Sequence, residues 1–229
     1  MVEKIKTGIA EFDEMLNGGF PKNRHIGFYG GPGTGKTTFT FEILYKGALM
    51  GEVGYYFTLE EPPEMIIENM ESQFSEFKNI RDLINRNMLI IEKNETYDIN
   101  GIINQIEKGV LKYNVSRLVI DSLTIFKSLF SSEPEYRRGL IEFLNLLRTL
   151  DISVFPIIEA PTSARESFEY SIEHYVLDGI INLYNIYRGE TRIRALEIYK
   201  LRGTAHNTDI VPYRVTPRGI KVYVGEKLF

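Results

Sequence analysis

The chain has 229 residues, of which 43% are hydrophobic and 25% are charged, and this balance is typical of one large soluble α/β domain. Its formal net charge of −4 gives no overall attraction to nucleic acid or to anionic lipid. The chain has no cysteine and only three scattered histidines, which excludes disulfides, thiolate metal sites and histidine clusters. The first residues lack the apolar segment of a signal peptide, and no apolar run approaches the roughly 18 residues of a membrane helix. We therefore expect a cytoplasmic protein without a membrane span.

The chain begins with a short amphipathic helix, which is predicted from Ala10 to Leu16 by its apolar spacing. The run Gly18-Gly19-Phe20-Pro21 stops this helix, because two glycines followed by a proline break helical structure. Asn23 is expected to adopt the left-handed conformation that leads into the first buried strand, His25 to Tyr29.

A phosphate-binding loop follows that strand, because Gly30 to Thr37 fit the pattern G-x-x-x-x-G-K-[ST]. A predicted helix from Thr37 to Leu49 comes next, so the loop has the strand-to-helix setting that phosphate binding requires. Lys36 can reach the outer phosphates, and the Thr37 hydroxyl can ligate Mg²⁺. The predicted phosphate-contacting residues are Gly31, Pro32, Gly33, Thr34, Gly35, Lys36, Thr37 and Thr38.

Strands and helices alternate beyond this loop, which indicates a parallel sheet with helical crossovers. Apolar and β-branched runs predict strands at Val53–Leu59, Met88–Glu92, Leu118–Asp121 and Ile152–Glu159. Helical periodicity predicts helices at about Glu64–Met70, Ile99–Tyr113 and Tyr136–Leu150. Pro156 conflicts with its strand, because proline does not belong in a central strand, so a bulge or a later strand start is expected.

The pattern changes to antiparallel hairpins after about Asp178. One hairpin is predicted from Gly179 to Lys200 around the turn Arg188–Thr191, and a second turns at Thr216-Pro217-Arg218-Gly219. We predict a single domain over residues 1–229, with an N-terminal segment at 1–22, a nucleotide-binding core at 23–178 and a C-terminal β region at 179–229.

Acidic residues end three of the predicted parallel strands, where open α/β sheets bind their ligands. Asp121 fits a Walker B aspartate that holds Mg²⁺ through water, although it could instead cap the turn at Ser122. A carboxylate of Glu60 or Glu61 could orient and deprotonate the attacking water. Strand alternation predicts that only one of them faces the nucleotide, and we favour Glu60; the alternative is a solvated acidic pair. Glu159 could sense the γ-phosphate and signal to residues 160–170.

A basic pair lies near the end of the first hairpin. Lys200 and Arg202 are two residues apart, so on a strand they share one face and repel each other unless an anion lies near them. A phosphate is the obvious anion, and arginine fingers of this kind accelerate phosphoryl transfer. The alternative is a solvated basic turn.

Several of these segments occur together in an order that identifies a family. The segments are Thr7-Gly8-Ile9, Phe12-Asp13-Glu14, Gly18-Gly19-Phe20-Pro21, the P-loop, Glu60-Glu61, Ile120-Asp121-Ser122 and Lys200-Leu201-Arg202-Gly203-Thr204. Together they resemble the KaiC-like ATPases of the RecA superfamily over nearly the whole chain. The resemblance implies a RecA-like P-loop NTPase fold, in which helices flank a mainly parallel central sheet that continues into C-terminal antiparallel β-hairpins.

The same resemblance implies a hexameric ring with ATP and Mg²⁺ at each subunit interface. Glu60 takes the position of the catalytic glutamate, and Lys200 and Arg202 match the pair that reaches the γ-phosphate of the neighbouring subunit's ATP. The remaining residues that the family's pattern assigns to that neighbouring nucleotide are Leu201, Thr204, His206, Ser72 and Thr216.

The chain departs from the tandem-domain clock members of this family at several positions. It has one such domain, and their autophosphorylated Ser-Thr pair falls on His174-Tyr175, so autokinase activity of that kind is not expected. A Thr-Thr-Glu becomes Ile157-Ile158-Glu159, which weakens the sensor role of Glu159, and Pro217 replaces an aspartate beside the nucleotide.

The main functional hypothesis is a Mg²⁺-dependent ATPase ring that acts as a regulatory switch, with a regulatory protein partner left open. ATP is favoured over GTP because the guanine-reading pattern [NT]-K-x-D is absent. One alternative is a DNA-binding recombination accessory like the RadA paralogues, which would use loops 123–135 and 160–170; their acidic residues predict slight affinity for nucleic acid. Another alternative is a nucleotide-binding scaffold with negligible turnover.

Overall fold

The computed structural model describes residues 2–159 and 171–226. The strands are β1 (Lys4–Ile5), β2 (Phe20–Pro21), β3 (Ile26–Gly30), β4 (Gly54–Thr58), β5 (Leu89–Lys93), β6 (Arg117–Asp121), β7 (Ser153–Glu159), β8 (Gly179–Arg188), β9 (Thr191–Leu201), β10 (Val211–Thr216) and β11 (Gly219–Val222). The helices are α1 (Ala10–Met15), α2 (Lys36–Leu49), α3 (Pro63–Gln73), α4 (Ile80–Asn85), α5 (Ile99–Tyr113), α6 (Leu123–Ser128), α7 (Glu133–Thr149) and α8 (Ile172–Val176).

The architecture is a nine-stranded sheet in the order β11-β10-β9-β8-β3-β7-β6-β4-β5. Strands β3 to β8 pair in parallel, whereas β9, β10 and β11 continue the sheet in antiparallel pairs. Strand β3, which carries the glycine loop, lies between β7 and β8. This arrangement confirms the predicted α/β class, with its mainly parallel sheet and its C-terminal hairpins.

The two faces of the sheet are covered by separate apolar cores. One core joins β3 to α1, α2, α3 and α4, and the other joins the sheet to α5, α6 and α7. The alternation of side chains along β3 divides them, because Phe28 packs into the first core and Tyr29 into the second. The strand is therefore buried on both faces, as its continuous apolar sequence predicts.

Pro156 lies inside β7, so the strand neither starts later nor shows a register shift on either side. It is the last residue of β7 that pairs with β6, opposite Ile120. On the other side, Val154 bridges to His25 and Ile157 pairs with Phe28 in the same register, and the ladder is interrupted between these two pairs. The missing N–H of the proline therefore falls in a gap of the β3–β7 ladder.

The predicted elements are confirmed with shifts of a few residues at their ends, and Asn23 has the expected positive φ of 56°. The short helices α4, α6 and α8 and the small β1–β2 sheet were not predicted. Helix α6 and the start of α7 occupy most of 123–135, which was expected to be a loop. No helix in residues 2–159 and 171–226 is both long and apolar enough to cross a lipid bilayer.

Candidate functional site

The glycine loop joins the end of β3 to the start of α2 at Lys36, as the pattern predicts. Gly33 and Gly35 have φ values of 74° and 87°, which residues other than glycine rarely adopt. The Lys36 ammonium lies within the loop and donates to the carbonyl oxygens of Gly30 (2.8 Å) and Gly31 (3.1 Å). Burial lowers the pKa of Lys36, and the negative charges of Glu159 and Asp121 oppose this effect.

A hydroxyl and a carboxylate lie side by side next to this loop. The Thr37 hydroxyl, at the start of α2, is 3.3 Å from Asp121 Oδ2 at the end of β6. Tyr56 of β4 donates its hydroxyl hydrogen to the same carboxylate oxygen. Burial raises the pKa of Asp121, while the hydrogen bonds from Tyr56 and Thr37 and the charge of Lys36 oppose this rise.

This donor set fits hard divalent metal ions such as Mg²⁺. Hydroxyl and carboxylate oxygens suit Mg²⁺, which keeps several waters and takes its remaining ligands from phosphates. The described residues contain no group of three histidine or acidic side chains that could hold a metal alone. A metal beside Thr37 and Asp121 would therefore depend on a bound phosphate for part of its ligand shell.

The acidic pair Glu60-Glu61 lies beyond the end of β4, because the strand stops at Thr58. The Thr58 hydroxyl oxygen accepts the N–H groups of both Glu60 (3.3 Å) and Glu61 (3.0 Å), which fixes a bend. Strand alternation therefore does not decide which carboxylate faces the site. Asn69 donates to Glu61 at 3.1 Å, and the charge of Glu61 contributes to the raised pKa of Asp121.

Glu159 lies at the carboxyl end of β7, where it pairs with Gly30 at the start of the glycine loop. Its backbone N–H donates to the Thr124 hydroxyl at 2.9 Å, and the negative charge of its side chain acts to raise the pKa of Lys36. The structure thus places Glu159 beside the loop, and its role as a sensor stays a prediction. Residues 160–170, to which it was expected to signal, lie outside the described residues.

Lys200 and Arg202 lie at the opposite edge of the sheet from the chain's own glycine loop. Leu201, between them, pairs with Gly179, which in turn pairs with Ile26 at the start of β3. The five residues of β3 span roughly 16 Å and separate this edge from the loop. The cations cannot serve the chain's own phosphate site from there.

Carbonyl oxygens at the end of helix α8 hold both cations in place. Lys200 donates to the carbonyls of His174 (2.8 Å) and Leu177 (2.7 Å), and Arg202 donates to that of Tyr175 (3.0 Å). These carbonyl oxygens offset part of the repulsion between two neighbouring cations. Burial lowers the pKa of Lys200, and the charge of Arg202 adds to this effect. Thr204 and His206 follow after β9 has ended, and the residues next to them are bonded to the end of α1: Asn17 donates to the Ala205 carbonyl at 3.0 Å, and the Asn207 N–H donates to the Met15 carbonyl at 2.8 Å.

Ser72 and Thr216 do not lie with that group. Thr216 ends β10, and the β10–β11 hairpin packs on α2: the Ile220 N–H donates to Glu42 of this helix at 2.7 Å. Ser72 of α3 precedes Ser75, whose hydroxyl donates to the Pro217 carbonyl at 3.0 Å. Through these contacts the hairpin that carries Thr216 and the helix that carries Ser72 pack on the side of the chain's own glycine loop, whereas the resemblance assigns both residues to a neighbouring nucleotide. Their contact with a nucleotide stays a prediction.

Tyr56 is the neighbour of Asp121 that the sequence reasoning missed. It lies two residues before the strand end at Thr58, and therefore on the same face of β4 as Thr58. A polar tyrosine in a fully buried strand beside the Walker B strand is the signal that could have identified it.

The strand, the glycine loop and the helix, together with the side chains of Lys36, Thr37 and Asp121, define a P-loop nucleotide-binding protein. A sequence model of the family described as "ATPase: KaiC" matches residues 5–227. The chain therefore belongs to the KaiC ATPase family, which has an ATP-binding RecA-like fold.

Curated relatives and a solved structure agree with this assignment. Over 97% of its length the chain is 31% identical to the circadian clock oscillator protein KaiC of Synechococcus elongatus and 32% identical to that of Parathermosynechococcus lividus. It spans 44% and 42% of these two relatives, which is less than half of their length. The crystal structure of a KaiC-like protein from the hyperthermophilic archaeon Pyrococcus horikoshii matches with a TM-score of 0.87 and 30% identity, covering 97% of this chain and 100% of the other.

Proposed function

We propose that this chain is a Mg²⁺-dependent ATPase that hydrolyses ATP at the interfaces of a homo-oligomeric, hexameric ring and acts as a regulatory switch. One observation carries this proposal: the P-loop lies at one edge of the sheet, and Lys200 and Arg202 lie at the other. Only a second copy of the chain could bring these two halves of a phosphoryl-transfer site together. The likeness to clock oscillator proteins supports the switch role.

Each group has a distinct part in the proposed reaction. The P-loop N–H groups and Lys36 bind the phosphates, and Thr37 and Asp121 hold Mg²⁺, which neutralises charge on the phosphates when it is bound. Glu60 orients and deprotonates the attacking water, with Glu61 as the alternative because of its closeness to Asp121.

Lys200 and Arg202 of the neighbouring copy stabilise the charge that develops on the γ-phosphate. Ser72 and Thr216 line the chain's own nucleotide, while Leu201, Thr204 and His206 line the neighbour's.

Phosphate release and particle size, measured with and without ATP, test the proposal. We expect the wild-type chain to form rings with ATP and to release phosphate, and Lys36→Ala to abolish ATP binding. Glu60→Gln or Glu61→Gln should keep ATP binding but slow phosphate release by about 100-fold or more, because the general base is lost.

Glu64→Gln is the matched control, since Glu64 is an exposed acid in the first turn of α3. This variant should release phosphate at the wild-type rate. A wild-type chain that stays monomeric with ATP and releases no phosphate would contradict the proposal. Ring formation with equal, near-zero rates in the wild type and both glutamate variants would instead indicate a nucleotide-binding scaffold.

A further inference from the structure

Three consecutive P-loop carbonyl oxygens each accept a hydrogen bond from a side chain of the C-terminal β region. Asn185 Nδ2 donates to the Pro32 carbonyl at 3.2 Å, and Arg194 Nε donates to the Gly33 carbonyl at 3.0 Å. The Tyr213 hydroxyl donates to the Thr34 carbonyl. These three residues come from three strands, β8, β9 and β10, so the contacts do not follow from one local turn.

The three side chains form a row across the sheet beneath the loop. Asn185 and Arg194 are cross-strand partners in the β8–β9 ladder. In the antiparallel β9–β10 ladder Pro212 pairs with Ala195, so the next residue of β10, Tyr213, lies next to Arg194 of β9. Burial raises the pKa of Tyr213, and the charge of Arg194 opposes this rise, as expected for adjacent groups. We name these residues the carbonyl row: Asn185, Arg194 and Tyr213.

The carbonyl row completes the hydrogen bonding of the P-loop backbone. Lys36 binds the carbonyl oxygens of Gly30 and Gly31, and the Thr34 hydroxyl also donates to Gly31 at 2.8 Å. The Gly35 carbonyl accepts the Phe39 N–H at 2.8 Å in the first turn of α2. With the carbonyl row in place, every carbonyl from residue 30 to 35 has a donor.

The direction of these bonds matters for phosphate binding. In a peptide unit the C=O and N–H groups point in opposite directions, so a side chain that fixes a carbonyl on the outside of the loop also fixes an N–H toward its inside. Inward N–H groups are what a P-loop offers to a phosphate.

We infer that the carbonyl row consists of positioning residues, which preset the P-loop N–H groups and thereby set the affinity for the phosphates of a nucleotide. This inference rests on the proposed function, because it takes the ligand to be a nucleoside di- or triphosphate. A preset loop undergoes less reordering on binding, so the row strengthens binding without touching the reacting atoms.

Titration with Mg²⁺·ADP tests the inference without depending on turnover. Tyr213→Phe and Asn185→Leu each remove one hydrogen bond without changing charge, and we expect each to weaken ADP binding by about five- to tenfold. With ATP, KM should rise while kcat stays within about twofold, since the interaction is the same in the ground and transition states. Tyr213 packs edge-on against Phe39 at 6.1 Å, and the phenylalanine ring preserves this contact.

Tyr184→Phe is the matched control for Tyr213→Phe. Tyr184 precedes Asn185 on β8, so its side chain lies on the opposite face of the sheet, where its hydroxyl donates to Glu197 at 2.6 Å. This variant also loses a tyrosine hydrogen bond, but ADP affinity should be unchanged. Thermal unfolding without nucleotide shows whether a variant folds, and Asn185→Leu, at a partly exposed position, serves if Tyr213→Phe does not.

Arg194→Ala should weaken ADP binding more than Arg192→Ala, although both remove one positive charge from β9. Arg192 lies two residues away, with its guanidinium 4.9 Å from the ring of Tyr187. Folded Tyr213→Phe and Asn185→Leu variants that bind ADP as tightly as the wild type would overturn the inference and leave the proposed ATPase intact. A wild-type chain that binds no Mg²⁺·ADP would overturn both.

Discussion

Glu42 is a buried carboxylate two turns into the P-loop helix, where it accepts the Ile220 N–H at 2.7 Å. Burial raises its pKa to about 7, while Ile220 and Lys46 oppose the rise and Glu76 adds to it. Between pH about 4.5 and 7 the folded chain retains this proton, whereas the unfolded chain has lost it. The contribution of Glu42 to the free energy of unfolding is therefore fully present below pH about 4.5. That stability is lost as the pH rises toward 7.

His25 has the opposite effect on stability. Its pKa is lowered to about 4, first by burial and then by the charge of Arg148. Neither ring nitrogen of His25 has a hydrogen-bond partner among the described residues. The folded chain therefore disfavours the protonated ring, and stability is lost as the pH falls from 6.5 toward 4.

We predict that these two effects largely cancel between pH 4.5 and 6.5 and that Glu42→Gln reveals the effect of His25. The glutamine can still accept the Ile220 N–H, but it does not titrate. Urea unfolding at several pH values should show that the variant loses stability on acidification more steeply than the wild type, by up to about 1.4 kcal/mol per pH unit. Glu64→Gln, at an exposed position, should follow the wild-type curve. Parallel curves for Glu42→Gln and the wild type would contradict the prediction.

The positions of the candidate site residues were predictable from the sequence where they depend on a local pattern. Lys36 and Thr37 are fixed by the P-loop spacing, and Asp121 by its place at the end of an apolar strand. Tyr56 was missed because its hydrogen bond to Asp121 joins residues that are 65 positions apart. Strand alternation was expected to turn only one of Glu60 and Glu61 toward the nucleotide, and that argument does not apply after Thr58.

Among the secondary-structure elements, the β10–β11 hairpin depends on one glycine. Gly219 has a φ of 96°, and a Cβ atom at this position would lie 2.4 Å from Glu42 Oε2. A side chain here would therefore meet both backbone strain and a buried carboxylate. The glycine allows the hairpin to approach the P-loop helix, which brings Thr216 to the P-loop side of the fold.

We predict that Gly219→Ala lowers the free energy of unfolding by roughly 2–4 kcal/mol, because strain at positive φ and the close contact add together. Gly51→Ala is the control, since Gly51 has a φ of 90° and a Cβ atom added there would meet no atom of the described residues within 4 Å. It should cost only about 1–2 kcal/mol. In a Glu42→Ala background the contact is absent, so the cost of Gly219→Ala should fall toward that of Gly51→Ala. Equal costs in both backgrounds would show that the contact is unimportant.

Element prediction succeeded where periodicity was long or turn chemistry was specific. Helix α5 repeats its apolar spacing over 15 residues, and its predicted bounds match the structure. Helices α4 and α6 have six residues each and α8 has five, too few for a periodic signal. Pro156 shows the limit of the rule that proline does not belong in a central strand. The β3–β7 ladder is interrupted at this proline, so it needs no N–H there, and the pairs on both sides of the gap keep the same register.

For the whole molecule, the polarity of the sheet decides how a complete site can form. The carboxyl edge of the parallel strands carries the P-loop, Asp121 and Glu159, and the amino edge carries Lys200 and Arg202. A chain that lacks one half of the site can therefore be complemented by a chain that lacks the other half, provided that the proposed ring forms.

We predict that Lys36→Ala chains and Lys200→Ala/Arg202→Ala chains are each inactive alone and regain activity when they are refolded together. In a random one-to-one mixture about a quarter of the interfaces combine an intact P-loop with an intact cation pair, so phosphate release should approach a quarter of the wild-type rate. A triple variant that carries all three substitutions is the control, and it should not rescue either partner. Mixed rings with no activity at any ratio would exclude catalysis across the interface.

Strand β9 has a particular place in such a ring. Within its 11 residues it carries Arg194, whose guanidinium holds the Gly33 carbonyl, and six residues later Lys200, at the far edge of the sheet. These two side chains are roughly 20 Å apart along one continuous strand. In the proposed ring, a single extended segment therefore spans the distance between two ATP molecules.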